Sequence, residues 1–400
     1  MEQTDILISG GGVAGLTAAA AFGAAGFSVI CVDPTPPVTD EAAEGADLRT
    51  TALLQPARLV LQAAGLWARL EPYAAPLQIM RIIDAGGVDP TPRLVKDFNA
   101  ADISDLPFGW NLPNWLLRRE MVARLAQLPS VSFRPGMATT GLLTRSSQAV
   151  VTLSDNTRVA ARLVIAADGR GSTMRTALGI GVRTLRYGQK ALTFAVTHPV
   201  PHQNVSTEIH RSGGPFTLVP LPDRDGLPCS AVVWMETGPE VTRLHALPLP
   251  AFQAAIDARS CGVLGPLTLV TRRLVWPMIA QLADSMTGER VALMAEAAHV
   301  VPPIGAQGLN MSLADLAALL ELARAHDLGS EAMLDAYQRR RYPDIRTRVM
   351  GIDALNRASM VEMLMLRDMR ALALRGLYAM TPVRKTLMKA GLGAQDQRLP

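Results

Sequence analysis

The sequence is short of cysteine: three in 400 residues, Cys31, Cys229 and Cys261, with no CxxC pair among them. That excludes a disulfide scaffold and a zinc ribbon, and it points to a reducing compartment, the cytoplasm. Aromatic residues make up only 4%, and no Lys/Arg block interleaves with them, so a nucleic-acid partner is not expected. The six histidines form no HExxH and no close pair with carboxylates, which argues against a metal site. Charge is missing over one long stretch. Ile6 to Val32 is 27 residues without Asp, Glu, Lys or Arg, long enough on paper to span a bilayer. Six glycines within seventeen of those residues break it instead into a β-like ILIS, a glycine turn, an alanine-rich helix and a β-like FSVICV. The start, MEQTD, is acidic where a secretory leader is basic, so no signal peptide is expected.

What is present is enough to build a large interior. Hydrophobic residues are 49% of the chain and charged residues 18%, and 400 residues exceed what one core usually fills, so two cores are expected. The net charge of +4 is unevenly placed. From Arg339 onward thirteen Lys/Arg face five acids, a local +8, so residues 1–338 carry −4.

The first motif follows the strand Asp5–Ser9: GGGVAG sets Gly10, Gly12 and Gly15 in GxGxxG register at the start of a helix beginning at Val13 and Ala14. Gly10 makes the tight turn, Gly12 lets the backbone approach a pyrophosphate, and Gly15 lets helix and strand pack closely. Unpaired N–H groups at the helix start then face the phosphates. Asp33 ends the next strand, 18 residues after Gly15, where a carboxylate accepts hydrogen bonds from a ribose and disfavours a 2′-phosphate. FAD or NAD therefore suits the site better than NADP.

Two more strand-to-helix transitions narrow the choice. LVIAADGRGSTMR (163–175) is an apolar strand ending at Asp168, followed by a helix capped by Ser172; ERVALMAEAAHVVPPIGAQGLNMSLAD (289–315) is a buried strand, a loop and a helix beginning near Gln307. Three such transitions bring backbone donors and carboxylates to the carboxyl ends of one sheet, more contact than a nicotinamide cofactor needs. The middle of the chain, about 182–276, switches to short alternating stretches broken by Pro and Gly, the pattern of a mostly antiparallel sheet. Phe194, Phe216, Trp234 and Trp276 either line a cavity there or form its core. His299 reads as a packed, hydrogen-bonded support rather than a base.

The set resembles the class A flavoprotein monooxygenases, the fold of para-hydroxybenzoate hydroxylase. YGQKAL (187–192), GPFTLVPL (214–221), VVW (232–234), GAQGLN (305–310) and the ending TPVRKTLMKAGLG are similar to the ubiquinone-biosynthesis hydroxylases within that class. The resemblance implies an α/β chain: a Rossmann-like FAD-binding domain (1–73, 101–181 and 277–330) interrupted by a mostly antiparallel β-sheet substrate domain (74–100 and 182–276), with C-terminal helices (331–400). It implies FAD held by Gly10, Gly12, Val13, Ala14, Gly15, Asp33, Arg49, Arg118, Asp168, Glu296, Pro303, Gln307, Gly308, Leu309 and Asn310. Pro303 and Gly308 are the flavin-facing positions; no catalytic base is identified.

The chain departs from that pattern at Ala295-Glu296, where Gly-Asp is usual, and at Pro302, Ala306 and Ser312, where the family has histidine, glycine and glycine. Glu296 keeps the acceptor with one more methylene, and the other changes stiffen the loop. By resemblance the reaction is hydroxylation of the phenol ring of a polyprenylated ubiquinone precursor through a flavin C4a-hydroperoxide, with NAD(P)H and O₂ consumed. A non-catalytic FAD-fold subunit and a flavin-dependent prenyl-chain reductase are the alternatives. The Met-rich, Arg-rich C-terminal helices suit peripheral contact with the inner face of the membrane, or equally a solvated basic cap. A complex with other ubiquinone-biosynthesis proteins is a further expectation.

Overall fold

The computed structural model describes residues 1–86, 91–211, 213–360, 376, 378 and 380–392. Most of the Met-rich stretch after Ser359, and the end of TPVRKTLMKAGLG, lie outside the described residues.

Two large sheets carry the chain. In the first, Val291–Leu293, Arg158–Ala166, Glu2–Ser9, Val29–Asp33 and Val131–Pro135 lie side by side and parallel. Its central strands are unbroken apolar runs because helices cover both faces; Ile6, Leu7, Ile8, Leu163, Val164 and Ile165 are wholly buried. Ala149–Leu153 and Thr139–Thr144 extend it antiparallel from Arg158–Ala166. Helix Val13–Ala24 is buried from Gly15 to Gly23, and small side chains let it sit between the sheet and the helices Asn114–Leu125 and Gln307–Ala325.

The second sheet runs His299–Val300, Leu274–Ala283, Val182–Thr197, Leu227–Thr237, Pro215–Arg224, Val205–His210, Ile79–Asp84, Leu94–Asn99. Every neighbouring pair is antiparallel except Val205–His210 with Ile79–Asp84. One face packs on helices Gly238–Ala246 and Leu249–Ser260 through Phe194, Phe216, Trp234 and Phe252. Three of the four singled-out aromatics are therefore core. A three-stranded sheet, Thr50–Leu54, Gly109–Pro113 and Ala75–Leu77, packs on Pro215–Arg224 of the second sheet and on helices Gln55–Ala63, Asn114–Leu125 and Gln307–Ala325. Helix Gln307–Ala325 and the 29-residue helix Glu331–Ser359 close the structure, followed by Thr381–Leu392. The α/β arrangement with an antiparallel second sheet and C-terminal helices is the one expected.

Candidate cofactor-binding site

Parallel strands put Ser9, Asp33, Ala166 and Leu293 at the same end of the first sheet, so the loops that follow them converge. Gly10 turns with φ +109°, and a Cβ there would run into the Ala167 carbonyl, which seats the first loop directly on the second. A Cβ on Gly15 would strike the Gly10 carbonyl. Gly12 is different: nothing lies within 4 Å of where its Cβ would be. It begins helix Val13–Ala24 with no side-chain cap, leaving the first-turn N–H groups, Val13 and Ala14 among them, without the usual acceptor. Asp33 accepts from the Gly11 N–H at 2.6 Å and the Thr35 N–H at 2.8 Å, one bond per carboxylate oxygen, so lone pairs remain. Asp168 caps helix Thr173–Ala177, accepting from the Met174 N–H at 3.1 Å, while its other oxygen is buried and has no partner among the described residues. Ser172 caps the same helix through the Arg175 N–H at 3.0 Å.

Arg49 is held by a residue that the sequence reading passed over. Asp47, 6% exposed, accepts from Arg49 Nε at 2.8 Å and Nη2 at 2.7 Å, and from Asn114 Nδ2 at 3.1 Å, with Arg118 3.7 Å away. Burial alone would raise the Asp47 carboxyl; the Arg49, Asn114 and Arg118 contacts outweigh it and hold it below the usual carboxylate range. The Arg49 guanidinium lies 3.9 Å from the Trp276 ring centroid, so this arginine bridges the first sheet's loops to the second sheet. Burial would lower its pKa, but Asp47 and then Glu296 raise it. The only sequence signal for Asp47 is its spacing, two residues before Arg49.

Two alanines of the third loop hold the backbone conformation that favours glycine. Ala295 and Ala306 have φ +54° and +56°, the left-handed region that glycine adopts without strain. Glu296 is exposed in the turn Ala295–Ala297, and Pro303 and Gly308 are exposed, with open space beyond Gly308. Leu309 is half-buried against the core. Gln307 and Asn310 have committed side chains. Gln307 Nε2 donates to the Gly305 and Gly391 carbonyls at 2.9 and 3.0 Å, and its Oε1 accepts from Arg348 at 3.0 Å. Asn310 accepts from the Leu54 N–H at 2.8 Å and donates to the Ala52 carbonyl at 2.8 Å. Their side chains lock the helix start in place, which leaves backbone N–H groups as their donors toward a ligand.

Beneath the loop, His299 Nε2 meets Asp315 at 2.6 Å, and Arg341 Nε reaches the same carboxylate at 2.9 Å. Asp315 is fully buried, yet His299 and Arg341 overcome burial and keep its pKa low. His299 is thus the buried support expected. Asp315 and Arg341 escaped the sequence reading, although a lone acid in the apolar run MSLADLAALL was a visible signal.

An uncapped helix start behind an open Gly12, a ribose-placed Asp33, and Asp168 with an unpartnered oxygen are a donor and acceptor set that fits a dinucleotide such as FAD. Fold and site together define a protein built to hold a flavin dinucleotide.

Residues 3–351 match the family described as FAD binding domain, and the chain belongs to that family of FAD-dependent monooxygenases. It is 34% identical over 397 residues to ubiquinone hydroxylase UbiL of Rhodospirillum rubrum, an alignment covering 98% of this chain and 90% of that one. It is 25% identical to 3-demethoxyubiquinol 3-hydroxylase of Escherichia coli, over 98% of this chain and 99% of that one. Among solved structures, p-nitrophenol 4-monooxygenase PnpA of Pseudomonas putida shares the fold, with a TM-score of 0.80 at 18% identity and full coverage of both chains.

Proposed function

We propose that the chain hydroxylates the phenol ring of a polyprenylated ubiquinone precursor, consuming NAD(P)H and O₂. The observation that carries this reading is the contact between the third loop and the second sheet. Ile304 packs on Ala191, Met235 and Met278, with Val233 and Trp276 beside them. A ring placed there meets a largely apolar wall next to the loop expected to border the flavin, and such a wall excludes water. The names of the relatives support the substrate class. Bound FAD supplies the oxygen-transfer chemistry. The chain's residues would do the rest: Gly12, Asp33, Arg49 and Asp168 would hold the nucleotide, and backbone donors within 303–309 would stabilise negative charge developing on the flavin. Peripheral contact with the inner membrane face, and assembly with other ubiquinone-biosynthesis proteins, complete the proposal. Among the described residues no helix is long and apolar enough to cross a membrane.

The test supplies purified, FAD-loaded protein with NAD(P)H, O₂ and a short-tailed polyprenylphenol. A product heavier by one oxygen is expected. A colourless protein that takes up no FAD, or a saturated product without added oxygen, overturns the reading.

A further inference from the structure

A cavity of about 320 Å³ shares no lining residue with the wall formed by Ala191, Met235 and Met278. It is lined by helices Gln55–Ala63, Gln307–Ala325 and Glu331–Ser359 and by Leu392 of the last helix, and it opens to solvent. Its floor is apolar: Leu54, Ala57, Met311, Ala314, Ala317 and Leu392. Its other wall comes from one face of the long helix, Arg340, Arg341, Asp344 and Arg348, three cations against one anion.

Those cations are unequal. Arg341 is 7% exposed and spent on Asp315 and Asp344. Arg340 bonds Glu321 through Nη1 at 2.7 Å, and Arg348 bonds Asp344 through Nε and Gln307 through Nη1. A guanidinium has five N–H donors, so both keep an unspent edge. Anion-binding groups on one wall and an apolar floor below them describe a site for an amphiphile. At about 30 Å³ per non-hydrogen group, the volume takes about ten such groups.

We propose that this cavity, open on one side, binds an anionic amphiphile, a carboxylate or phosphate head on an apolar chain of which about five to seven carbons fit inside. The head sits between Arg340 and Arg348, and the chain lies on Ala57, Ala314 and Ala317. Because Arg348 also holds Gln307 Oε1, and Gln307 Nε2 holds the Gly391 carbonyl, a head that draws on Arg348 is felt at the third loop. The site takes a ligand of its own, apart from the ring substrate.

Calorimetry on FAD-loaded protein, with decanoate, decyl phosphate, decanol and inorganic phosphate as probes, tests this. Saturable binding of decanoate or decyl phosphate is expected, at least tenfold tighter than decanol. Decanoate alone would assign a fatty-acid-like head, decyl phosphate alone a lipid-phosphate-like head, and both the anion in general; each supports the site. Ala314→Phe, which fills the floor, and Arg340→Gln, at an exposed position, should each weaken binding at least tenfold while the flavin spectrum stays that of the parent. If Ala314→Phe does not fold, Arg340→Gln decides. Binding of inorganic phosphate as tight as decyl phosphate, equal binding of decanol, no binding at all, or binding untouched by Arg340→Gln overturns the proposal.

Discussion

Ala306 sits at φ +56° at the head of helix Gln307–Ala325, where the resembled family has glycine. A Cβ in that region costs about 1 kcal/mol or more, because it crowds the carbonyl. Ala306→Gly is therefore expected to stabilise the protein by about 1 kcal/mol, read as a higher urea midpoint at unchanged slope. A lower midpoint would mean that the alanine is accommodated without strain. The sequence showed the glycine missing but not that its conformation persists, because backbone angles follow from the whole loop.

Glu236 is a second residue with a measurable signature. It is buried at 8% exposure, and burial pushes its carboxyl up to about 7 from 4.5, against the opposing pull of Arg259 and Trp234. A pKa raised on folding favours the protonated acid, so its stabilising contribution is complete below 4.5 and fades as pH rises through about 7. Glu236→Gln should match the parent near pH 4.5 and exceed it above pH 7, by about 3 kcal/mol at most. Melting both proteins across that window decides it, and parallel curves would place the carboxylate in contact with water. Nothing in the alternating pattern of strand Leu227–Thr237 announced a buried acid at its end.

At the scale of elements, the two long helices are joined by charge. Asp315 on Gln307–Ala325 binds Arg341 on Glu331–Ser359 and His299 on the strand before both. Removing the carboxylate leaves a buried guanidinium without its main partner, and breaking such a pair typically costs about 3–5 kcal/mol. Asp315→Asn is expected to lose about 3 kcal/mol in urea unfolding. Asp344→Asn, at a carboxylate whose side chain is 37% exposed, should lose under about 1 kcal/mol. Similar losses from the two would remove the distinction between buried and surface pairs. Helix Gln307–Ala325 was legible from its apolar run, but the length of the next was not. Pro343 lies inside it, and the helix continues through to Ser359. A proline inside a helix removes one backbone hydrogen bond and clashes with the carbonyl four residues back, a cost that packing of the flanks can offset.

At the scale of the molecule, the three strand-to-helix transitions marked the central parallel strands of the first sheet, since each is local in sequence. The second sheet was legible in kind but not in order. Its one parallel pairing joins Val205–His210 to Ile79–Asp84 across more than a hundred residues, and no periodicity encodes such a partner.

The long helix ties both sheets together. Tyr337 Oη donates to the Leu293 carbonyl of the first sheet at 2.9 Å, while Tyr187 Oη of the second donates to Asp353 at 2.9 Å and Asn356 donates to Gln189 at 3.0 Å. His299–Val300 joins the second sheet directly after Ala295–Ala297 leaves the first. With such cross-ties the two sheets should unfold as one unit. FAD at a hundred times its dissociation constant adds about 2.7 kcal/mol to whatever unit contains its site. Calorimetric melting with and without FAD is therefore expected to show one transition moving upward as a whole. Two transitions, of which FAD moves only one, would show that the second sheet folds independently and that the helix Glu331–Ser359 does not couple it to the cofactor.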